Sequence, residues 1–452
     1  MPVLRIAALV AAVATLAPPL PSQEPPATDP RITAIVRGVS AARLEADLRR
    51  LVSFGTRHTL SDTLSPTRGI GAARRWIKAE FDRISAACGG CLEVFYIERM
   101  FVSPPRVPQS TNVVSVVAVQ RGTTDPDRFL VMSAHFDSRV SNPMNATDSA
   151  PGANDDGSGT VAVIEAARVL SRQRFTASIA YAALAGEEQG LLGGQSLAHY
   201  AQGSGWRIVG VLNNDIVGNI TGVDGVTDSM MVRVFSDAVP PTETEPERLR
   251  RRGAGGEVDG VSRQLARYVD RMADRYLPGF DVWMIYRHDR FGRGGDHRPF
   301  ADLGFPAVRL SEGHEQYARQ HQDIRVENDI HYGDVLEGVN FPYLARVTAL
   351  NTASLAALAW APAPPRDARL SGGGRPAARL TWQAPPDSGA VAGYRVYWRR
   401  TDSPTWDHAA WAGDRREHVF TGLTVDNYYF GVASVGKDGH ESTVVFPLPG
   451  RN

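Results

Sequence analysis

Three apolar runs in this chain each climb to a side chain that favours metals and then stop. Arg128-Phe-Leu-Val-Met-Ser-Ala134 ends at His135-Phe136-Asp137, Thr176–Ala185 ends at Glu187-Glu188, and Arg207–Asn214 ends at Asp215. Uninterrupted apolar runs of this length, separated by helical spacing, predict buried parallel strands. Residues 32–54 carry helical spacing (Ile32, Ile35, Val36, Val39, then Leu44, Leu48, Leu51), as does Ile70–Ser85, with Ala73, Trp76, Ile77 and Phe81 on one face. Ser158–Arg172, Leu191–Tyr200, Val261–Tyr276 and Phe341–Trp360 complete the helices, and Leu92–Ile97, Asn112–Gln120, Phe280–Tyr286 and Pro306–Leu310 add strands. Residues 221–260 are polar and irregular, and their basic run Arg248–Arg252 reads as a solvated face or mobile loop. Strands alternating with helices predict an α/β domain. Ligands of such sheets bind just beyond the carboxyl ends of the strands, so the three run ends should meet at one rim.

The pattern changes after Trp360. Ala361-Pro-Ala-Pro-Pro365 is an extended, proline-stiffened linker. Beyond it, Ala378–Trp382, Gly393–Trp398 and Tyr428–Ser434 alternate apolar and polar residues between Gly, Pro and Asp turns. That spacing predicts an all-β, immunoglobulin-like sandwich. The segment resembles a fibronectin type III domain, with Trp382 as the core Trp of the second strand, Tyr394 as the third-strand Tyr, and Leu423 with Tyr428 as the tyrosine corner. By the same resemblance it serves adhesion to a surface or polymer, or acts as a rigid spacer.

A chain of 452 residues exceeds one ordinary core. Lys+Arg and Asp+Glu are equal at 49 each, which gives no reason to expect nucleic acid or an anionic membrane as partner. At the start, Arg5 precedes a continuous apolar run, Ile6–Leu16, and Ala17-Pro-Pro-Leu-Pro21 breaks it. This pattern predicts an export signal at 1–22, cleaved between Ala17 and Gln23, and a secreted or periplasmic protein. No other segment is long and apolar enough to span a membrane. The expected divisions are the signal at 1–22, the α/β domain at 23–361, the linker at 362–365 and the sandwich at 366–452. Cys88 and Cys91 are too few for a thiolate zinc site. In an exported chain they predict a short local disulfide.

The chemistry is concentrated at the strand ends. Alternation puts His135 and Asp137 on one side of the backbone, so one imidazole nitrogen can bind metal while the carboxylate orients the ring. Asp155, in Asn154-Asp155-Asp156-Gly157, opens the next helix, where an Asp cap is ordinary, but it should fold back over the same rim. Glu187 and Glu188 are adjacent, so their side chains diverge; one can bind metal while the other faces water. Asp215 closes the third strand.

Five segments in this order resemble the zinc aminopeptidase family M28 from about Ala41 to Trp360. They are Ser133-Ala-His-Phe-Asp-Ser138, Gly152-Ala-Asn-Asp-Asp-Gly-Ser-Gly159, Ala185-Gly-Glu-Glu-Gln-Gly190, Asn214-Asp-Ile-Val-Gly218 and Gly295-Asp-His-Arg-Pro-Phe300. The resemblance implies a mixed, largely parallel sheet flanked by helices and carrying two zinc ions. His135 and Asp215 would hold one zinc, Glu188 and a late histidine the other, with Asp155 bridging and Glu187 as general base. It also implies a cis peptide at Asp155-Asp156. His321, with Asp323, fits the family's late histidine segment; His314 and His331 stay open. Asp296, His297, Arg290 and Arg293 are candidates for the pocket wall. Arg290-Phe-Gly-Arg293 stands where several relatives carry an oxyanion-stabilising tyrosine, so that donor has no counterpart here. The expected activity is hydrolysis of terminal peptide bonds in peptide or protein substrates, at the amino end. Carboxypeptidase or dipeptidase action, cyclisation of N-terminal glutamine, and a non-catalytic binding ectodomain are the alternatives.

Overall fold

The structure is a computed structural model that describes residues 28–386 and 388–450. The expected export signal at 1–22 and its cleavage region lie outside the described residues. The α/β domain is built on a sheet of β1 (Leu92–Ser103), β2 (Val107–Gln120), β3 (Asp125–His135), β4 (Ala177–Leu184), β5 (Arg207–Asn214), β6 (Met231–Ser236), β7 (Asp281–Ile285) and β8 (Ala307–Glu312). Their order is β1-β2-β4-β3-β5-β8-β6-β7. The central four, β4, β3, β5 and β8, run parallel, while β2 and β6 join them antiparallel. All eight residues of β4 and all six of β8 are buried, as both-face coverage of a parallel core requires. Because the central strands share a direction, the ends of β3, β4 and β5 emerge on one edge.

The helices are α1 (Pro30–Gly38), α2 (Ala41–Val52), α3 (Gly69–Ala87), α4 (Gly159–Leu170), α5 (Leu192–Gly203), α6 (Glu245–Ala254), α7 (Val261–Tyr276), α8 (Arg298–Asp302) and α9 (Phe341–Trp360). The apolar spacing at 32–54 resolves into two helices, not one. Val39 is extended, and the Ser40 side chain accepts from the Arg43 N–H to start α2. α9 is buried nearly all round and packs on α1, α2, α4 and α7.

Residues 221–260 depart from their reading as irregular chain. Met231–Ser236 is a strand, with Val232 and Val234 buried, and Glu245–Ala254 is a helix started by a Thr244/Glu247 capping box. The basic run lies on α6, which buries no residue, so it is a solvated face on a helix. A small hairpin of β9 (Arg325–Glu327) and β10 (Ile330–Tyr332) also escapes the apolar pattern, because its residues are largely exposed. Cys88 and Cys91 form a disulfide at the end of α3. No helix among the described residues is long and apolar enough to cross a membrane.

The C-terminal strands are β11 (Arg366–Ser371), β12 (Ala377–Gln383), β13 (Val391–Arg400), β14 (His408–Gly413), β15 (Glu417–Thr421), β16 (Tyr428–Gly436) and β17 (Leu448–Pro449). They form two facing sheets, β15-β12-β11-β17 and β14-β13-β16. Trp382 and Tyr394 meet in the sandwich core with Phe420, Phe430 and Val432, and Leu423 and Tyr428 pack at its edge. The sandwich docks on the α/β domain through buried charge. Glu441 pairs with Arg271 and Arg275 of α7, and Asp259 is held between Arg267 and Arg399, each at 2.7 Å. His440 stacks on Trp360 at the end of α9.

Candidate metal centre

The rim is shaped before any metal chemistry is considered. β3 delivers His135, and the chain returns through the turn Ala153–Ser158 into α4, with the Asp155-Asp156 peptide cis. Gly152 precedes this turn at φ +52°, where a Cβ would sit 2.5 Å from the Ser138 Cβ. Asp156 ties three rim segments together. It accepts from the backbone N–H groups of His135 (3.1 Å), Gly159 (3.0 Å) and Ile216 (3.3 Å). Asp334 grips the turn from the other side, accepting from the N–H of Asn154 (2.8 Å) and of Asp155 (2.7 Å). Burial, with the Asp155 charge added, pushes its carboxyl up to about 7. Arg57, fully buried beneath, donates to Phe136 O, Pro151 O and Gly152 O. Asp334 and Arg57 were not singled out in the sequence, since each acts through backbone groups far away in the chain.

Two sets of ligand atoms converge on this frame. His135, Asp155 and Asp215 offer one set and Asp155, Glu188 and His321 another, with the atoms of each set within 4.8 Å of one another. Asp155 belongs to both. Its Oδ1 lies 3.2 Å from His135 Nε2 and its Oδ2 lies 2.9 Å from His321 Nε2, so its two oxygens face opposite sets. Glu188 Oε1 is 2.8 Å from His321 Nε2 and Asp215 Oδ1 is 3.9 Å from His135 Nε2. His135 Nε2, Glu188 Oε1 and Asp215 Oδ1 are buried, and among the described residues no well-aligned hydrogen bond serves them, although His321 stands close to Glu188 and Arg309 to Asp215. Buried polar atoms rarely remain so without an ion or water to serve. Burial opposes a charge on His135, yet Glu187, Asp137 and Asp155 hold it well above the usual imidazole value. His321 is likewise pushed up to about 10 by Glu188 and Asp155, against burial. The donor set demands positive charge and mixes imidazole with carboxylate, which suits zinc.

Glu187 stands apart from both sets, its Oε2 3.9 Å from His135 Nε2. Burial, reinforced by Asp215, Glu188 and Asp296, raises its carboxyl well above the ordinary range. Asp137 does more than face the ring. His135 Nδ1 is 3.1 Å from its main-chain oxygen and 3.5 Å from its carboxylate. That carboxylate accepts from the N–H groups of Glu187 and Glu188 and from the Thr59 hydroxyl, which fixes the glutamate pair.

A cleft of about 580 Å³ opens over these groups. Arg290 and Arg293 line it, together with Arg106, Arg139 and Arg298, which the sequence pattern did not flag. Asp296 and His297, expected at the wall, lie fully buried behind it. Asp296 accepts from Gly194 N, where a side chain on that glycine would collide with it, and His297 Nε2 faces His288 O at 2.8 Å. Burial pushes Asp296 up to about 7 and His297 down to about 4. Arg309, fully buried, pairs with Asp215 (3.0 Å) and Asp289 (3.3 Å) and so orients the Asp215 carboxylate. Arg139 Nε is 3.1 Å from Glu188 Oε2, and its Nη2 is 2.7 Å from His321 Nδ1. Only the neutral ring accepts that approach, so the guanidinium and a proton compete for this imidazole. Of the other late histidines, His314 pairs with Asp224 and His331 sits exposed on β10; neither joins a ligand set.

Residues 115–334 match peptidase family M28, and residues 363–447 match the fibronectin type III domain. A probable zinc metalloprotease of Leptosphaeria maculans is 44% identical over 94% of this chain and 98% of its own length. The chain belongs to peptidase family M28. Another probable zinc metalloprotease, from Pyrenophora tritici-repentis, is 42% identical over 94% of this chain and 88% of its own. The family fold extends further: the LapA aminopeptidase of Legionella pneumophila superposes with a TM-score of 0.53 at 19% identity, over 75% of this chain and 77% of LapA. Membership makes the protein a zinc metallopeptidase, so the alternative of a non-catalytic ectodomain falls.

Proposed function

We propose that this protein is an exported exopeptidase that holds two zinc ions and hydrolyses terminal peptide bonds with Glu187 as general base. The observation that carries the reading is the shared Asp155, whose two oxygens face two ligand sets in one cleft. His135 and Asp215 would complete one site, and Glu188 and His321 the other. Bound zinc would supply Lewis-acid charge that polarises a carbonyl and makes nearby water acidic at neutral pH. Glu187, in the cleft but outside both sets, takes the proton from the attacking water. As the water oxygen bonds to the carbonyl carbon, the C–N bond breaks and Glu187 returns that proton to the leaving amine. Arg309 and Asp156 hold Asp215 and the rim backbone still while this happens.

The resemblance to aminopeptidases supports attack at the amino end. The arginines of the cleft favour a second reading, carboxypeptidase or dipeptidase action. Export rests on the apolar run Ile6–Leu16, and sequencing the amino terminus of the secreted protein tests it.

The variant Glu187→Gln tests the assignment of roles. Turnover should fall by roughly 10²–10⁴-fold while zinc content stays that of the wild type. Zinc lost together with activity would reverse the roles of Glu187 and Glu188.

A further inference from the structure

We propose that the cleft selects substrates with a carboxylate beside the scissile bond, which Arg106, Arg293 and Arg298 receive. The inference rests on the peptidase reading above and names its substrate class.

Charge around the cleft carries the argument. Its lining holds five arginines, Arg106, Arg139, Arg290, Arg293 and Arg298, against four carboxylates, Asp155, Glu187, Glu188 and Asp215. Three of those carboxylates belong to the ligand sets and the fourth is the proposed base. Two divalent cations would match all four, and the arginines would then stand unbalanced. Behind the wall, Glu315 is the shared counter-charge, and it serves three guanidiniums at once. Arg233 takes it at 2.5 Å, leaving Arg293 at 3.6 Å and Arg290 at 3.7 Å. Arg290 is further tied to Asp289 and to Gly294 O, and Arg139 to Glu188.

Among the described residues Arg106 and Arg298 pair with no carboxylate, and Arg293 has only its distant share of Glu315. Arg106 donates to the main-chain oxygen of Glu188. Arg293 reaches Gln320 Oε1 at 3.2 Å and is about one-third exposed. Arg298 Nε is buried with no hydrogen-bond partner among the described residues. A cation left half-desolvated is costly unless an anion completes it. A guanidinium fork matches a carboxylate in two parallel hydrogen bonds. The anion has two sources, the free α-carboxylate at a peptide's end or an Asp or Glu side chain. An uncharged amide, as in the cyclisation of N-terminal glutamine, gains nothing from these groups.

The test is a comparison of kcat/KM for the zinc-loaded full chain on matched substrates. One arm pairs dipeptides with their C-terminal amides; the other pairs Asp- and Glu-containing peptides with their Asn and Gln counterparts. At least one arm should favour the carboxylate by about tenfold or more, since charge-assisted hydrogen bonds are the strong ones. The arm that shows it identifies the source. In Arg293→Gln and Arg298→Gln the ratio should fall toward one, through KM. Calorimetry on zinc-loaded Glu187→Gln adds a readout free of turnover: the acid should bind more tightly than the amide, and less so at high salt. Peptides hydrolysed with equal efficiency in both arms would overturn the inference and leave the peptidase reading standing. No hydrolysis of any peptide by the zinc-loaded chain would overturn that reading instead.

Discussion

At the residue scale, the centre depends on groups that never touch a metal. Asp334 accepts from two successive N–H groups of the turn that presents Asp155, so it sets where both carboxylate oxygens of the shared ligand point. Partners of metal ligands typically contribute 10–100-fold in metal affinity. Asp334→Ala should therefore weaken zinc binding by about 10–100-fold in a chelator competition, with the fold intact by circular dichroism. An unchanged affinity would mean that the turn holds itself. His135, Asp155, Glu188 and Asp215 were legible in the sequence because each follows an apolar strand or opens the following helix, whereas His321, in a loop, came only from the family resemblance. Asp334, Arg57 and Arg309 were not legible, since their partners are backbone atoms or side chains far away in sequence. Asp296 and His297 were read at the pocket wall, and the close approach of Gly194 that buries Asp296 behind it is a tertiary fact.

At the element scale, α7 shows what periodicity conveys and what it hides. Its span, Val261–Tyr276, follows directly from helical spacing in the sequence. Arg267, Arg271 and Arg275, spaced four apart, fall on one face of that helix. In the structure that face is turned to the sandwich, where Arg267 meets Asp259 and the other two meet Glu441. Burial opposes ionisation of Glu441, but Arg271, Arg275 and Arg395 hold it at about 2 against an ordinary 4.5. A carboxyl depressed in this way contributes stability above its unfolded value near 4.5 and loses it as pH falls through about 2. Glu441→Gln should cost about 3 kcal/mol in denaturant unfolding at neutral pH, because it strands buried arginines. The difference from wild type should shrink as pH falls below 4.5. A cost independent of pH would assign the effect to packing. The strand Met231–Ser236 and the hairpin 325–332 were missed for the converse reason. They are short, and their polar or exposed residues dilute any period.

At the scale of the whole molecule, two architectures legible from hydrophobic pattern alone meet through an interface that the pattern could not show. Asp259, Glu441 and His440 seat the sandwich on α7 and α9 beyond the proline linker. The rim lies on the other face of the logic: parallel β3, β4 and β5 bring His135, Glu188 and Asp215 together, and the turn into α4 adds Asp155 between them. The central claim is that this rim holds two zinc ions joined through Asp155. Native mass spectrometry of the zinc-loaded full chain measures it directly. Two zinc ions per wild-type chain, one in His321→Ala and none retained by Asp155→Ala are the predicted results. A single zinc in the wild type, or two still held by the Asp155 variant, would contradict it.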